Sequence, residues 1–320
     1  MSNLEIVTGA GPVGSAVALQ LAEQGINVRL LTRSGSGPEH PLIDRRRVDV
    51  SDAEALRSVS EGATAIYHCI HAAYNAADWE RELPAAEKVV LDAAASIGAV
   101  VVFPESLYAY NSDTLMTESD PRNATGGKRG VRTALLRARE ASATPTVSVV
   151  ASDFFGPRVR TAHAGERMVP KVMAGKKIRV IGSADQPHSF TYIPDLAAAM
   201  IAAAHNPELW NSVLHAPTGP ALTQRKIAEA FARAAGASPA KVGVLPAWVL
   251  DAVGKINTDS RELAEMNYQS PSRSSWTRAQ AKCCSDSRRR RSIRPPKRPS
   301  RGGARNRLAP LLPEPAGGGS

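Results

Sequence analysis

The sequence predicts a doubly wound α/β protein: a parallel sheet covered by helices, then a smaller mixed lobe, then an irregular basic tail. Three observations lead there. Short strand-like apolar segments alternate with helical patterns through the first 150 residues. A glycine cluster stands between the first such segment and the first helical one. Periodicity stops near Ser270, where Arg, Pro, Ser and Gly take over.

Strands are predicted at 5–8, 27–32, 47–50, 64–69, 99–103 and 146–151, with helices at 13–24, 52–60, 83–97 and 129–141 between them. Strands joined through helices form βαβ units, and these build parallel sheets buried on both faces. Beyond Ala151 the pattern mixes helices at 162–173, 194–204, 224–235 and 247–253 with short strands at 178–181, 189–193, 213–215 and 241–244. The expected domains are 1–155, then a small substrate lobe at 156–270 whose residues 190–200 return to the first domain, then a disordered tail at 271–320.

Composition narrows the function. The net charge of +10 resides in the tail: from Pro271 onward there are 13 Lys/Arg and 2 Asp/Glu, leaving 27 basic against 28 acidic residues before it. A neutral body is a poor polyanion binder. No apolar run reaches bilayer-spanning length and the N-terminus lacks a basic leader, so a cytoplasmic protein without membrane contact is expected. Cys69, Cys283 and Cys284 form neither a disulfide framework nor a zinc spacing, so no metal is expected.

The cluster Gly9-Ala10-Gly11-Pro12-Val13-Gly14 follows a strand and opens a helix. In that context it is a dinucleotide fingerprint. The first glycine makes the tight turn, the second lets backbone approach a pyrophosphate, and the third allows helix and strand to touch. Pro12 suits the first helical position, where no N–H bond is lost. The domain is therefore of Rossmann type. An NAD site ordinarily ends its second strand with an acid for the ribose hydroxyls, but here Thr32-Arg33-Ser34 stands instead. Arginine pairs with a 2′-phosphate, so NADP(H) is the expected cofactor and NAD(H) the alternative. Asp49 and Val50 fit an adenine contact.

Four stretches carry a family resemblance. They are Thr8-Gly9-Ala10-Gly11 through Gly14, Ser106-Leu107-Tyr108-Ala109-Tyr110, Ser152-Asp153-Phe154-Phe155-Gly156-Pro157 and Phe190-Thr191-Tyr192-Ile193-Pro194-Asp195. Together they resemble the extended and atypical short-chain dehydrogenase/reductases, the NAD-dependent epimerase/dehydratase-like group, over about residues 3–270. The resemblance implies hydride transfer, with Ser106 polarising a substrate carbonyl.

Departures from that group shape the rest. Its Tyr-x-x-x-Lys pair is absent; Lys128 and Arg132 occupy the four-residue spacing. Either the proton donor has moved, to Tyr108 or to Tyr74, with Lys128 or Arg132 holding the nicotinamide ribose or stabilising charge. Or the chain binds NADP(H) without turning it over. Asp153 replaces the group's asparagine, and a carboxylate facing a diphosphate disfavours a sugar nucleotide. His71, Tyr74 and Trp79 offer aromatic surface for an apolar carbonyl or alcohol, with Tyr192 a further substrate residue. The expected partner is that small molecule and not nucleic acid, with a homodimer allowed; nucleic-acid binding through the basic tail is the last alternative.

The tail has its own reading. Arg288 to Arg291 look polybasic, but joining the third base of each codon to the first two of the next makes 273–278 compatible with Phe-Val-Leu-Asp-Ser, a strand. The same frame makes 292–304 compatible with an amphipathic helix. The tail is therefore read as out of frame, which predicts exposed apolar surface and reduced stability in the lobe before it.

Overall fold

The computed structural model describes residues 3–111, 116–160, 164–166, 168–181 and 183–245. Contacts divide the chain into Met1–Arg278 and Ala279–Ser320, and every described residue belongs to the first unit. The readings of 271–320 as an out-of-frame tail and of a helix at 247–253, and the residues Cys283 and Cys284, lie outside the described residues.

In chain order the elements are β1 Leu4–Thr8, α1 Pro12–Glu23, β2 Asn27–Thr32, β3 Ile43–Arg47, α2 Ala53–Ser60, β4 Ala63–His68, α3 Ala76–Ile97 and β5 Val100–Ser106. A single 3-10 turn at Leu107–Ala109 precedes α4 Gly127–Glu140, β6 Thr146–Ala151 and β7 Asp153–Phe155. Then come α5 Val169–Met173, β8 Ile178–Ile181, β9 Pro187–His188, β10 Phe190–Tyr192 and α6 Ile193–Ala204. Strands β11 Ser212–His215 and β12 Leu222–Thr223, helix α7 Gln224–Ala234 and strand β13 Val242–Leu245 follow.

Seven strands form one parallel sheet in the order β11-β6-β5-β4-β1-β2-β3. Consecutive residues point to opposite faces, so strands covered on both sides are largely apolar. Val7, Leu30, Tyr67, Val102 and Val149 pack under α1 and α6. Their neighbours Ile6, Leu31, Ile66, Val101 and Phe103 pack under α2 and α3. The strand order reverses between β1 and β4, and the crevice at the carboxyl ends of those strands is where such folds bind ligands.

The segment 156–270 divides in the structure. Helix α6 covers the large sheet and β11 extends its edge. Met168, Val172, Ile178, Val180, Phe190, Ile227 and Ala232 form a separate core beyond them. Among the described residues no helix is long and apolar enough to cross a membrane.

Three boundaries differ most from the sequence reading. Strand β3 runs over Ile43–Arg47 rather than 47–50, so Asp49 and Val50 lie in the loop after it. Only Ile43 of that strand is buried; the four charged residues after it are exposed on a sheet edge, which erases the apolar alternation. Helix α3 starts at Ala76 because the Asn75 side chain accepts from the Asp78 N–H at 2.8 Å, and Pro84 sits inside the helix instead of opening it. Helix α5 starts at Val169, with Pro170 in its first turn; residues 164–166 of the predicted helix form a turn instead, and its predicted start at 162 lies outside the described residues.

Candidate functional site

A cleft of about 1770 Å³ opens at the switch point, lined by the glycine turn, by the ends of β2 to β6, and by β7 and the β9 segment. The three glycines contribute differently. Gly9 has φ +89°, a conformation other residues adopt only under strain, and a side chain there would meet the Cys69 carbonyl at 3.0 Å. A Cβ at Gly14 would stand 1.9 Å from the Gly9 carbonyl oxygen, so α1 packs against the turn only without one. A Cβ at Gly11 would meet nothing within 4 Å. It would project into open cleft instead. Helix α1 begins with Pro12, has no acidic residue in its first turn and receives no side-chain cap, which leaves its N-terminal N–H groups for an anion. Val13 also lines the cleft. These features fit a dinucleotide pyrophosphate.

Toward the edge of the sheet the cleft passes Thr32, Arg33, Ser34, Arg47, Asp49 and Ser51. The Thr32 hydroxyl donates to the Ser36 carbonyl at 3.1 Å, closing the turn that carries Arg33. Ser51 donates to Asp49 from its N–H at 3.0 Å and its hydroxyl at 2.8 Å. Those two bonds, with Arg33 nearby, hold the Asp49 carboxyl below its ordinary pKa. Val50 is buried under α2 but reaches the same cleft.

The other end is built on β5. Ser106 closes that strand, and both its N–H and its hydroxyl turn to Oε1 of Glu105, at 2.7 and 3.3 Å. Glu105 is fully buried. Its Oε1 lies 3.3 Å from Nη1 of Arg132, and its Oε2 accepts from Nη1 of Arg139 at 2.8 Å. Arg139 continues into Glu87, with Nε donating at 2.8 Å and Nη2 at 2.5 Å, and reaches the Ser148 hydroxyl at 2.9 Å. Burial alone would raise the Glu105 pKa, but the two arginines and the Ser106 N–H outweigh it and lower it. Burial likewise opposes charge on Arg139, and its two carboxylates win.

Above this network stands an aromatic wall. Trp79 is buried, stacks on Tyr108 at 5.9 Å, and meets Tyr74 and His71 edge-on at 5.7 and 4.7 Å. The Tyr74 and Tyr108 hydroxyls are 2.8 Å apart. Lys128 is wholly buried with its ammonium 4.2 Å from the centre of the Tyr74 ring, and it does not itself line the cleft. Arg132 lies over Trp79 at 4.7 Å and donates to His71 at 2.7 Å. Tyr110, the other phenol of the post-strand segment, points away: it is buried against His215, 2.6 Å from that ring's Nε2.

On the far wall Asp153 pairs with Nε2 of His188 at 2.9 Å. Burial opposes a charge on His188, but the bond to Asp153 prevails and its pKa is raised. Tyr192 is not among the cleft-lining residues; its ring packs on Phe155 at 5.2 Å and against Gly156, where any Cβ would come within 2.9 Å of it. His68 bonds the Thr8 hydroxyl at 2.9 Å, and burial takes its pKa down to about 4. Burial also pushes the Cys69 thiol up to about 12.

The structure thus brings Ser106, Tyr108, Tyr74, Lys128, Arg132 and His71 to one end of the cleft and Arg33 with Asp49 to the other. Sequence reasoning missed Glu105, Glu87, Arg139, His188 and Arg47. Only Glu105 left a signal, an acid beside Ser106 at the end of an otherwise apolar strand.

A reversed strand order, an open glycine cradle and an uncapped helix N-terminus define a dinucleotide-binding Rossmann protein. The chain belongs to the NAD dependent epimerase/dehydratase family, whose sequence model matches residues 6–212. The fold is similar to that of the epimerase Mth375 from Methanothermobacter thermautotrophicus, at 21% identity and TM-score 0.65, covering 77% of this chain and 80% of that one. It is also similar to the UDP-N-acetylglucosamine 4-epimerase from Bacillus cereus, at 17% identity and TM-score 0.65, covering 76% and 85% of the two chains. A third similar structure is the Bordetella bronchiseptica enzyme WbmG in complex with NAD and UDP, at 19% identity and TM-score 0.62, covering 76% and 82%. No curated protein matches the chain.

Proposed function

We propose that the protein is an NADP(H)-dependent oxidoreductase acting on a small, largely apolar carbonyl or alcohol, with its proton donor moved from helix α4 to Tyr108. The observation that carries this reading is the pair of hydroxyls, Tyr74 and Tyr108, 2.8 Å apart in the cleft that Ser106 also lines. When bound, NADP(H) supplies or accepts the hydride. The residues do the rest. In the reducing direction Ser106 turns its hydroxyl from the long 3.3 Å contact with Glu105 to the substrate carbonyl oxygen. Tyr108 gives that oxygen its proton, and Tyr74, the more exposed phenol, passes a replacement from solvent. The buried Lys128 ammonium stabilises the negative charge that develops on the phenol pair during the transfer. Arg132 is not a second donor, because Glu105 and His71 hold it. Gly9, Gly11, Pro12 and Val13 line the pyrophosphate, Gly14 lets helix α1 pack closely behind it, and Arg33 binds the 2′-phosphate.

Two walls of the cleft bear on the substrate. One is aromatic, from Trp79, Tyr74 and Tyr108. The other carries the Asp153–His188 pair, which offers hydrogen bonds to a substrate hydroxyl or carbonyl. Because His188 offsets the carboxylate, the reading of a small substrate rests on the aromatic wall and not on repulsion of a diphosphate.

A screen of small aldehydes, ketones and alcohols, followed by the absorbance of the reduced nicotinamide, tests the reading. Turnover is expected, falling about 100-fold or more in Tyr108→Phe while cofactor affinity stays unchanged. Stoichiometric NADPH binding without turnover across the panel, or full activity in Tyr108→Phe, contradicts it.

A further inference from the structure

The residues that end β3 have no part in the reading above, and one of them faces the cleft. Three arginines close that strand. Arg45 pairs with Glu39 at 3.2 Å, and Arg46 with Asp44 at 2.8 Å. Arg47, the third, forms no ion pair within 4 Å of another described residue, and neither does Arg33. Both are exposed and line the same end of the cleft.

Their relative placement is set by the sheet. Thr32 is the register partner of Arg47, so Arg33 is the next residue along the neighbouring strand end. The Val48 N–H donates to the Thr32 carbonyl at 3.0 Å, which carries the pairing one step past the strands. Arg33 sits on a closed turn. The Gly35 N–H reaches the Thr32 carbonyl at 3.3 Å, the Thr32 hydroxyl reaches the Ser36 carbonyl at 3.1 Å, and the Ser34 and Ser36 hydroxyls are 2.8 Å apart. Gly35, at φ +71°, lets this turn lie against Arg47, whose Cβ would be 3.7 Å from a Cβ at that glycine. Two guanidinium-bearing stems are thus fixed side by side by backbone bonds. Asp49 is the one carboxylate beside them among the described residues lining this end, and one of its oxygens is taken by Ser51. This end of the cleft therefore keeps a surplus positive charge.

We infer that Arg47 is a second specificity-determining residue, which with Arg33 clamps the 2′-phosphate of the cofactor between two guanidinium groups. The inference rests on the NADP(H) reading. A phosphate monoester carries between one and two negative charges near pH 7, and it presents several oxygens to planar forks approaching from two sides. An NAD ribose has only a hydroxyl there, so Arg47 has little to do for NADH.

Nicotinamide fluorescence titrations of the full chain with NADPH and with NADH, on wild type, Arg33→Ala, Arg47→Ala and Arg47→Lys, separate the possibilities. The expected result is a wild-type preference for NADPH that each alanine variant cuts about tenfold, with NADH affinity unchanged. Arg47→Lys should keep part of the preference, because it keeps charge without the fork. Unchanged NADH binding also shows that the variants fold. If wild type prefers NADPH and Arg33→Ala loses that preference while Arg47→Ala keeps it, the role of Arg47 is overturned and the cofactor reading stands. If wild type binds both equally, or binds neither, both fall.

Discussion

Arg132 donates from Nη2 to Nε2 of His71 across 2.7 Å, while Nδ1 of the same ring bonds the Ala72 carbonyl oxygen across 2.8 Å. A guanidinium only donates and a carbonyl only accepts. His71 is therefore neutral with its proton on Nδ1, and both nitrogens are occupied. Burial first, and the Arg132 charge second, hold its pKa below the ordinary histidine value. This places His71 in the wall of the site and takes it out of the proton chemistry.

Nitrogen-15 spectra of the imidazoles at neutral pH check that assignment. One ring should show the Nδ1–H neutral tautomer, and the signal should revert to a titrating, tautomer-mixed ring in Arg132→Met. A proton on Nε2 of the His71 ring itself, assigned by the signal lost in His71→Gln, contradicts the bond.

Glu105 is the hinge of the charge network. Replacing it with glutamine leaves Arg132 and Arg139 buried against one carboxylate, Glu87, instead of two. Breaking one partner from a buried ion network costs about 3–5 kcal/mol. Glu105→Gln should lose stability on that scale in urea titrations, and Glu105→Gln with Arg132→Met should recover part of it. A loss below about 1 kcal/mol contradicts the network's importance.

Acid should weaken the fold through two buried histidines. His68 and His215 are each taken from 6.5 to about 4, by burial first. The unfolded chain then binds protons that the folded chain refuses, so stability is full above pH 6.5 and falls as pH drops toward 4. The loss is roughly 2 kcal/mol per histidine at pH 5. His205 has the opposite sign. Its bond to Glu5 raises its pKa, so its contribution is complete below 6.5 and fades as pH rises through the raised value. Urea midpoints at pH 7 and pH 5 should differ in the wild type and differ less in His215→Gln.

Much of the sheet is legible in the sequence because a parallel strand covered on both faces is apolar at most of its positions. Asn27–Thr32, with Val28, Leu30 and Leu31 buried, and Thr146–Ala151, with Val147, Val149 and Val150 buried, come close to that pattern and form strands over the same residues the sequence predicts. Strand β3 does not meet it; at a sheet edge its solvated arginines carry no periodic signal. The start of α3 was hidden by Pro84, which reads as a helix opening although the Asn75 cap lies earlier. The glycine turn was legible because its chemistry is local. The network behind Ser106 was not, because Arg139 meets Glu87 and Glu105 across 52 and 34 residues, and no short-range pattern encodes a meeting of that kind.

Gly14 and Gly11 separate structure from function within one motif. Gly14→Ala drives a Cβ toward a backbone oxygen 1.9 Å away, so the turn or helix α1 must shift. A loss of several kcal/mol, on the scale of a severe steric change, should appear in thermal or urea unfolding. A fold as stable as wild type contradicts the packing described here.

The central claim is that this cleft holds a nicotinamide dinucleotide against Gly11. The direct measurement is a titration of wild type and Gly11→Val with NADPH, read by nicotinamide fluorescence, beside a thermal melt of each. Gly11 has φ −66° and ψ −175°, which a β-branched residue accepts, and its Cβ would touch no protein atom. The predicted result is saturable binding by wild type, at least tenfold weaker binding by Gly11→Val, and superimposable melts. Equal binding by the two proteins, or no binding by a folded wild type, contradicts the account.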